Sequence, residues 1–398
     1  MKPAALRGRL AQLAAQHLQR RRRTVIAAGD GAAVVVDGQR LINFCGNDYL
    51  GLNAHPALAQ ALARSAAAAG AGSGASHLVS GHGLEHERLE AELAQFTGRQ
   101  RALLFSTGYM ANLAAITCLA ARDSRIIMDR LCHASLIDAA RLSGARLKRF
   151  AHGDATAAGV ALQGDASSGT ALVVTDGVFS MDGDLAPLPQ LAQAATAAAA
   201  TLIVDDAHGL GVLGATGRGC LEHFNLDSAA VPVLVGTLGK AFGCFGAFIA
   251  ADADYIEWFV QTARSYIYTT ALPPPVAAAA RAALAVVATE GWRRERVLEL
   301  TARLRHGCAQ AGVALLPSPS PIQPVELGDS ARALAVSEQL FAAGFWVTAI
   351  RPPTVPKGSA RLRITLSAAH SEPQVDALIE ALTRALRRTP QQAPHAAA

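Results

Sequence analysis

From about residue 55 the sequence alternates short apolar segments with helix-forming ones, and this alternation limits the possible folds more than any other feature. The apolar segments are RALLF, SRIIMD, ALVVTD, TLIVDD and PVLVGT. The helix-forming segments include HERLEAELAQF, MANLAAITCLAA and LPQLAQAATAAAA. Strands that alternate with helices form a mainly parallel sheet with helices on both faces. We therefore predict an α/β fold.

We expect this large α/β domain to span residues 55–275. Residues 1–54 read as an N-terminal arm, with a basic amphipathic helix over 4–23 and a hairpin in AAVVVDGQRLINF, whose apolar runs meet at Asp37-Gly38. After the proline-rich ALPPP, a smaller α+β domain is expected over 276–387, with RLRITL as its last strand. Residues 388–398 are low in complexity and predict a frayed tail.

The composition excludes several classes of protein. Although the net charge is +5, only 5% of residues are aromatic and no basic stripe with interleaved aromatics occurs, so we expect no nucleic-acid partner. No apolar run is long enough to span a membrane, and we expect a soluble protein. The six cysteines form no C-x-x-C pairs, which favours the cytoplasm and predicts no metal site. The Ala-, Leu- and Arg-rich residues before Asp30 also allow an organellar transit peptide.

Polar residues follow several of the predicted strands, where ligands of open α/β sheets gather. Thr107 and Gly108 open a helix after RALLF, whose free N–H groups suit a phosphate, although a plain helix cap explains them equally well. His133 follows the next strand and could be structural or catalytic. Ser180 lies in a tight loop after ALVVTD.

Two carboxylates and a histidine follow the strand TLIV, in DDAHGLGVLG. A carboxylate in a dry site can keep a pyridine nitrogen protonated, and an imidazole can hydrogen-bond the ring's phenolate oxygen. We assign these roles to Asp205 and His208. A turn stabilised by Asx hydrogen bonds would account for one aspartate, but not for this pair upstream of an isolated lysine.

That lysine, Lys240, lies among Gly239, Gly243 and Gly246. Such surroundings suit a phosphate-binding loop, a reactive amine or a solvated turn. The phosphate-loop motif G-x-x-x-x-G-K-[ST] is excluded, because Leu234 occupies the place of its first glycine. A lysine whose pKa is lowered by burial is a good nucleophile toward an aldehyde. Together with the phosphate site and the carboxylate–histidine pair, it describes a site for pyridoxal phosphate.

The chain resembles the α-oxoamine synthases, pyridoxal-phosphate enzymes of the type I aminotransferase fold, over nearly its whole length. The matching stretches, in order, are FCGNDYLGL, GSGASHLVSG, FSTGYMAN, DRLCHASLIDAA, DGVFSMDGDLAPL, VDDAHGLGVLG, GTLGKAFG, YTTALPP and RPPTVPKGSARLRITLS. The resemblance implies a large mainly parallel-sheet domain with a smaller α+β C-terminal domain. It also implies a homodimer with its active site at the interface.

The resemblance carries roles onto matching residues. Lys240 would hold the cofactor's aldehyde, Asp205 would pair with the ring nitrogen and His133 would stack on the ring and act in catalysis. His208 and Ser180 would contact the oxygen side of the ring. The residues at the phosphate would be Gly108, Tyr109, Thr237 and, reaching the neighbouring subunit's cofactor, Thr269 or Thr270.

Within the family, AIRPPTVPKGSARLRITLS and the N-terminal arginine run resemble the biotin-pathway branch, which joins L-alanine to a pimeloyl thioester carried on coenzyme A or acyl-carrier protein. By that similarity Arg363 would bind the amino-acid carboxylate, Thr354 would line the substrate site and Arg21 would meet the acyl substrate. An exposed arginine run is also typical of a solvated helix face.

Two positions depart from the family pattern: Gly153, where an asparagine is usual, and Ala75, where a glycine is common. Three alternatives remain beside the biotin-pathway branch. One is a glycine-using acyltransferase of the same family. A ligand-sensing regulator would need a DNA-binding domain, which the short N-terminal arm does not suggest. A dinucleotide-binding dehydrogenase would need G-x-G-x-x-G after a strand, and GAGSGAS does not follow one.

Overall fold

A computed structural model of the chain describes residues 2–29, 31–163 and 169–389. The chain divides into two compact units. The larger contains residues 50–180 and 184–294. The smaller contains the residues up to Tyr49, residues 181–183 and the residues from Glu295 onward.

The helices, in chain order, are α1 Pro3–Ala15, α2 Pro56–Ala69, α3 Leu84–Thr97, α4 Gly108–Thr117, α5 Ala134–Ser143, α6 Ala155–Gln163, α7 Leu188–Ala197, α8 Cys220–His223, α9 Ala253–Thr262, α10 Arg264–Ile267, α11 Pro274–Thr289, α12 Trp292–Gln310, α13 Ser330–Ala342 and α14 Glu372–Arg388, with a π-helical turn at His77–Gly81. The strands are β1 Val25–Ala27, β2 Ala33–Val36, β3 Gln39–Asn43, β4 Arg101–Phe105, β5 Arg125–Asp129, β6 Arg146–Phe150, β7 Ala171–Asp176, β8 Thr201–Asp205, β9 Val233–Thr237, β10 Ala247–Ala251, β11 Ile322–Gly328, β12 Phe345–Trp346, β13 Thr348–Ile350 and β14 Ala360–Thr365.

The larger unit is built on a sheet that has, among the described residues, the strand order β4-β10-β9-β8-β7-β5-β6. Strands β5 to β9 pair in parallel, whereas β10 is antiparallel to both β4 and β9. Because β10 runs opposite to both of its neighbours, β4 and β9 run in the same direction. The carboxyl ends of β4, β5, β7, β8 and β9 therefore lie along one edge of the sheet.

An apolar core covers this sheet. Every residue of β7 is buried, as expected for a central strand with helices on both faces. Small residues on α4 and α5 let the two helices pack closely against each other, and α4 lies on the strands. Members of this core include Ala115, Met128, Ala140, Val174, Ile203 and Val235. Each fully buried Val or Ile stabilises the fold by roughly 1.5–3 kcal/mol.

The smaller unit contains two sheets, with strand orders β1-β2-β3-β12 and β11-β14-β13 among the described residues. The predicted hairpin is confirmed: Val36 pairs with Gln39 across Asp37 and Gly38. Both turn residues have positive φ, at 50° and 81°, which is the conformation of a tight two-residue hairpin turn. The predicted last strand corresponds to β14.

Two local predictions are corrected. The N-terminal helix was expected over 4–23 but ends at Ala15, because His17 adopts a left-handed conformation with φ of 56°. The arginine run at 20–23 follows the helix. The first two residues of the expected frayed tail at 388–398 are ordered: Arg388 belongs to α14, and the Thr389 hydroxyl donates to the Ala385 carbonyl at 2.6 Å. Residues 390–398 lie outside the described residues.

The compact units also differ from the predicted domain boundaries. The expected boundary at 275/276 falls inside α11 and within the larger unit, which continues to Arg294. The prolines of ALPPP, after which the second domain was expected, form the N-cap and the first two positions of α11, where a missing N–H costs nothing. In the part of the chain that the structure describes, no helix is both long and apolar enough to cross a membrane.

Candidate active site

Asp205 lies at the carboxyl end of β8, in the middle of the sheet, and its side chain is only 6% exposed. One carboxylate oxygen, Oδ1, accepts the backbone N–H of Ala207 at 3.0 Å. The other, Oδ2, accepts the side-chain amide of Asn112 at 2.6 Å. These two N–H donors fix the orientation of the carboxylate.

Asn112 comes from α4, which begins just after β4. The helix starts at Gly108, where the Thr107 hydroxyl caps it by accepting the Met110 N–H at 3.3 Å. The first backbone N–H groups of a helix have no partner within the helix, so this end can bind an anion such as a phosphate. On the buried side of the same helix, Asn112 also donates to the Ser135 hydroxyl at 2.9 Å.

His133 precedes α5 and follows the loop after β5. Its backbone N–H donates to Asp176 Oδ2 at 2.8 Å, and its ring Nδ1 lies 2.7 Å from Ser135 Oγ. Desolvation lowers the pKa of His133, the charge of Asp205 opposes this and the charge of Lys240 adds to it. Both charges therefore lie close to the His133 ring.

Lys240 lies in the loop that joins β9 to the antiparallel β10. Its Nζ is 2.9 Å from Nε2 of His208, which is itself buried. The loop is closed by backbone hydrogen bonds, including Gly243 N–H to the Lys240 carbonyl at 2.8 Å and Leu238 N–H to the Gly246 carbonyl at 2.8 Å. The amine is therefore held beside the imidazole by a tightly connected loop.

The two adjacent aspartates predicted from the sequence have different surroundings. Asp206 is completely buried and accepts the Cys220 N–H at 2.7 Å. Burial raises the pKa of Asp206 to about 7, against the effect of its hydrogen bonds with Cys220. Side chains at Gly209 or Gly219 would collide with its carboxylate. Asp206 thus holds the loops around β8 together, which leaves Asp205 as the candidate for chemistry.

Other predicted cofactor residues also lie in the larger unit. The Thr237 hydroxyl donates to the Gly246 carbonyl at 3.1 Å, and the Tyr109 hydroxyl donates to Asp138 Oδ2 at 2.6 Å. Their roles at a phosphate stay predictions. The remaining members of the predicted set are Ser180 and Thr269, which are half-buried, and Thr270, which is exposed.

The predicted substrate residues lie in the smaller unit. Arg363, on β14, is buried, and both of its terminal nitrogens donate to Asn47 Oδ1 at 3.1 Å. The Thr354 hydroxyl accepts a hydrogen bond from Arg20 at 3.3 Å. Arg21, the neighbour of Arg20, is exposed.

Residues 39–382 match the protein family Aminotransferase class I and II. The chain belongs to the class I and II aminotransferases.

Named relatives within this aminotransferase family cover almost the whole chain. It is 56% identical over 382 residues to the 8-amino-7-oxononanoate synthase of Thioalkalivibrio sulfidiphilus, covering 96% of this chain and 97% of the relative. It is 55% identical over 387 residues to the synthase of the same name from Stutzerimonas stutzeri, covering 97% and 98%. A solved serine palmitoyltransferase variant from S. paucimobilis, with a bound PLP–myriocin aldimine, matches with a TM-score of 0.92, 29% identity and 97% coverage of each chain.

These comparisons confirm the predicted type I aminotransferase fold and the predicted membership of the α-oxoamine synthases. They do not test the roles of individual side chains in this protein. Those roles stay predictions, supported by the geometry of the larger unit.

Sequence reasoning missed two side chains at the centre of the site, Asn112 and Ser135. Both are buried, at 1% and 0% exposure. A signal was present for the first of them, since Asn112 is a polar residue within the otherwise apolar helix GYMANLAAIT. Buried polar groups need partners, so a lone asparagine on such a helix indicates a hydrogen-bonded network.

A histidine cluster was also missed, because its spacing does not resemble a familiar metal motif. His77, His82 and His86 each bring one ring nitrogen within 4.8 Å of the others. Nδ1 of His77 and Nδ1 of His82 lie 2.9 Å apart. Both nitrogens of His86 are already used, one by the Gly83 N–H and one by the Leu272 carbonyl. The cluster therefore links the turn at 77–81 to α3 through hydrogen bonds.

Proposed function

We propose that the protein catalyses the reaction of an 8-amino-7-oxononanoate synthase in biotin biosynthesis. In this reaction L-alanine condenses with a pimeloyl thioester, and carbon dioxide and the free thiol carrier are released. The observation that carries the proposal is the identity of 54–56% to synthases of that name, over nearly the full length of both chains.

The larger unit offers a donor set that fits pyridoxal phosphate, the cofactor of this family. An amine lies within hydrogen-bonding distance of a buried imidazole, at Lys240 and His208. A buried, doubly hydrogen-bonded carboxylate is available at Asp205. An open helix N-terminus at Gly108 suits the phosphate. The cofactor needs a nucleophile, an acceptor for the ring nitrogen's proton and an anion site, and all three come from the carboxyl edge of one sheet.

When bound, pyridoxal phosphate supplies an aldehyde that reacts with amino groups and a ring that accepts the electron pair left on Cα. Lys240 Nζ would hold the aldehyde between turnovers and take the Cα proton of alanine. Asp205 would keep a proton on the ring nitrogen by its negative charge. His133 would donate a hydrogen bond to the oxygen of the thioester carbonyl as negative charge develops there.

The amino-acid carboxylate needs a cation, and we assign Arg363 to it. Its two hydrogen bonds to one Asn47 oxygen hold the guanidinium fork in place. We keep Thr354 as a residue lining the substrate site and Arg21 as the partner of the acyl substrate. The pimeloyl chain ends in a carboxylate, so an arginine suits its recognition.

We also propose that the enzyme is a cytoplasmic homodimer, in which Thr269 or Thr270 reaches the partner subunit's cofactor. The six cysteines are all free thiols, in keeping with a reducing compartment. The coenzyme A and acyl-carrier-protein forms of the acyl donor remain two candidates.

Competition kinetics on mixed thioesters test this function. With L-alanine as co-substrate, pimeloyl thioester should outcompete acetyl and succinyl thioesters, whereas glycine should react slowly because one methyl group is worth only about 1–3 kcal/mol. Arg21→Ala should raise KM for the pimeloyl substrate more than it lowers kcat. Borohydride treatment of the yellow holoenzyme should fix the cofactor covalently on Lys240.

Lys240→Ala is the control, since it should bind the cofactor without being labelled by borohydride. A preference for glycine with acetyl or succinyl thioester would assign the protein to the glycine-using acyltransferases and overturn the proposed substrate pair. Covalent labelling that persists in Lys240→Ala would overturn the assignment of the lysine.

A further inference from the structure

We propose that Ser135, oriented by Asn112, is a positioning residue that keeps the neutral imidazole of His133 in one tautomer, with its proton on Nε2. Its meaning for catalysis depends on the proposed function, but the tautomer itself is a property of the chain. Three hydrogen bonds connect Asp205 to His133 through Asn112 and Ser135.

The first step is the orientation of the Asn112 amide. Its Nδ2 lies 2.6 Å from Asp205 Oδ2 and 2.9 Å from Ser135 Oγ. An ionised carboxylate only accepts hydrogen bonds, so the opposite orientation would set the amide oxygen against it. The NH₂ group therefore points toward both partners and uses both hydrogens. Within the described residues, the amide oxygen has no hydrogen-bond partner. The orientation of the amide is therefore set by the two hydrogen bonds that its NH₂ group donates.

The second step is the Ser135 hydroxyl. Because its oxygen accepts from Asn112, its single hydrogen is available for another acceptor, and His133 Nδ1 lies 2.7 Å away. If Nδ1 carried the proton instead, the serine oxygen would accept twice and its hydrogen would need a further acceptor in a site with 0% exposure. The backbone N–H of Ser135 also donates to Nδ1, at 3.3 Å. Two donors on Nδ1 make it an acceptor.

The third step concerns the other ring nitrogen. A neutral imidazole with an accepting Nδ1 carries its hydrogen on Nε2. That N–H is the donor which the proposed role of His133 at a developing oxyanion requires. The charged groups around the ring are Asp205 and Asp138, which favour its protonation, and Lys240, which opposes it, while Asp176 accepts the His133 backbone N–H. Two donors directed at Nδ1 also oppose a second proton on the ring.

Neutron crystallography of the perdeuterated holoenzyme reads this arrangement directly. We expect deuterium on Nε2 of His133, none on Nδ1, and the Ser135 deuteron directed at Nδ1. Deuterium on Nδ1 of His133, or an Asn112 amide oxygen facing Asp205, would overturn the proposal. This measurement uses the wild-type chain, so it does not depend on how any variant folds.

A second measurement separates positioning from a merely structural role. Ser135→Ala removes one donor from Nδ1, so the pKa of His133 should rise. NMR of histidine-labelled holoenzyme, with His133→Gln to assign the signal, should show this rise, and the acid limb of kcat/KM should move the same way. Ser143→Ala, at the other end of α5, is the matched control and should leave both unchanged.

An unchanged His133 titration in Ser135→Ala would contradict the proposal, even if activity fell. Loss of the proposed function would look different: the enzyme would fail to condense L-alanine with pimeloyl thioester, while the neutron map and the histidine titration would still report the tautomer.

Discussion

Adjacent residues of identical chemistry acquire different tasks from their surroundings. Asp205 and Asp206 follow the same strand, yet one accepts a side-chain amide near His133 and the other accepts the backbone of α8. Alternation along the extended chain directs the two side chains to opposite sides. Sequence analysis assigned the ring nitrogen to Asp205, and the different neighbours of the two carboxylates support that choice.

Asp205→Asn should lose most activity, because a neutral amide cannot hold the ring nitrogen's proton by charge. The loss of one hydrogen bond to a charged group is worth about 1.5–3 kcal/mol, or roughly 10- to 150-fold in kcat/KM. Asp206→Asn should be milder in activity and act mainly on stability. Steady-state kinetics and cofactor titration of both variants check this; an equal or larger loss at Asp206 would show that the carboxylates were assigned the wrong way round.

At the scale of elements, one histidine that contacts two aspartates connects the ends of neighbouring strands. His152 follows β6 and lies 3.1 Å from Asp129, at the end of β5, and 2.9 Å from Asp184. The next residue, Gly153, donates its N–H to Asp129 at 2.8 Å with φ of 68°. Glycine and asparagine are the residues that tolerate this left-handed conformation, which accounts for the departure from the family's usual asparagine.

This cluster gives a pH-dependent prediction. Burial alone would lower the pKa of His152, but the hydrogen bonds to Asp129 and Asp184 outweigh it and raise the pKa to about 10. Since the folded value lies above the unfolded one, the stabilisation is complete below pH ~6.5 and is lost as the pH rises through about 10. His152→Gln should therefore lower stability by about 1 kcal/mol at pH 6 and by less at pH 10.

Thermal unfolding at pH 6, 8 and 10 measures this difference. His306→Gln, which changes an exposed histidine of α12, is the control. A difference between wild type and His152→Gln that grew with pH would contradict the assignment.

The lysine loop yields a second prediction at this scale. Gly243 has φ of 61°, and a Cβ there would collide with the backbone of Leu52 and Asn53. At Gly239 the nearest atoms would lie 3.7 Å away. Gly243→Ala should lower stability by at least about 1–2 kcal/mol and displace Lys240, whereas Gly239→Ala should resemble the wild type. Denaturant unfolding and cofactor binding of the two variants test this; similar behaviour would show that the loop is not fixed by this contact.

Several elements were predictable from pattern alone, and others were not. The segments RALLF and ALVVTD correspond to β4 and β7 to the residue, because in both strands nearly every residue is buried and the sequence is a nearly continuous apolar run. β6, RLKRF, escaped notice because an edge strand pairs on one side and carries charged residues. β10 escaped because AFIAA is alanine-rich, and alanine has weak strand propensity. The positions after strand ends identified four site residues from the sequence: Lys240, Asp205, His133 and His208. Asn112 and Ser135 were not identified, because their hydrogen-bond partners come close only in the folded chain.

At the scale of the whole molecule, the proposed homodimer places residues of two chains in one site. If Thr270 serves the partner's cofactor, subunits carrying Lys240→Ala and subunits carrying Thr270→Ala should complement each other. In the mixed dimer, one site receives an intact lysine from one chain and an intact threonine from the other.

Refolding the two inactive or weakened variants together should therefore recover activity, up to about half of the wild-type value in each mixed dimer. Each variant refolded alone provides the baseline. If Thr270 acts within its own chain, the mixture will show only the sum of the separate activities. Thr269→Ala, tested in the same way, distinguishes the two neighbouring threonines.

The division of the chain into units also dictates an order of events during synthesis. The larger unit is complete once residue 294 has left the ribosome, but β3 at 39–43 pairs with β12 at 345–346. The N-terminal strands must therefore wait through some three hundred residues of translation for their partner. Contacts of such long sequence separation form late and slowly. During that interval, β3 presents an unpaired edge, and the nascent chain is most exposed to misassociation before the smaller unit closes.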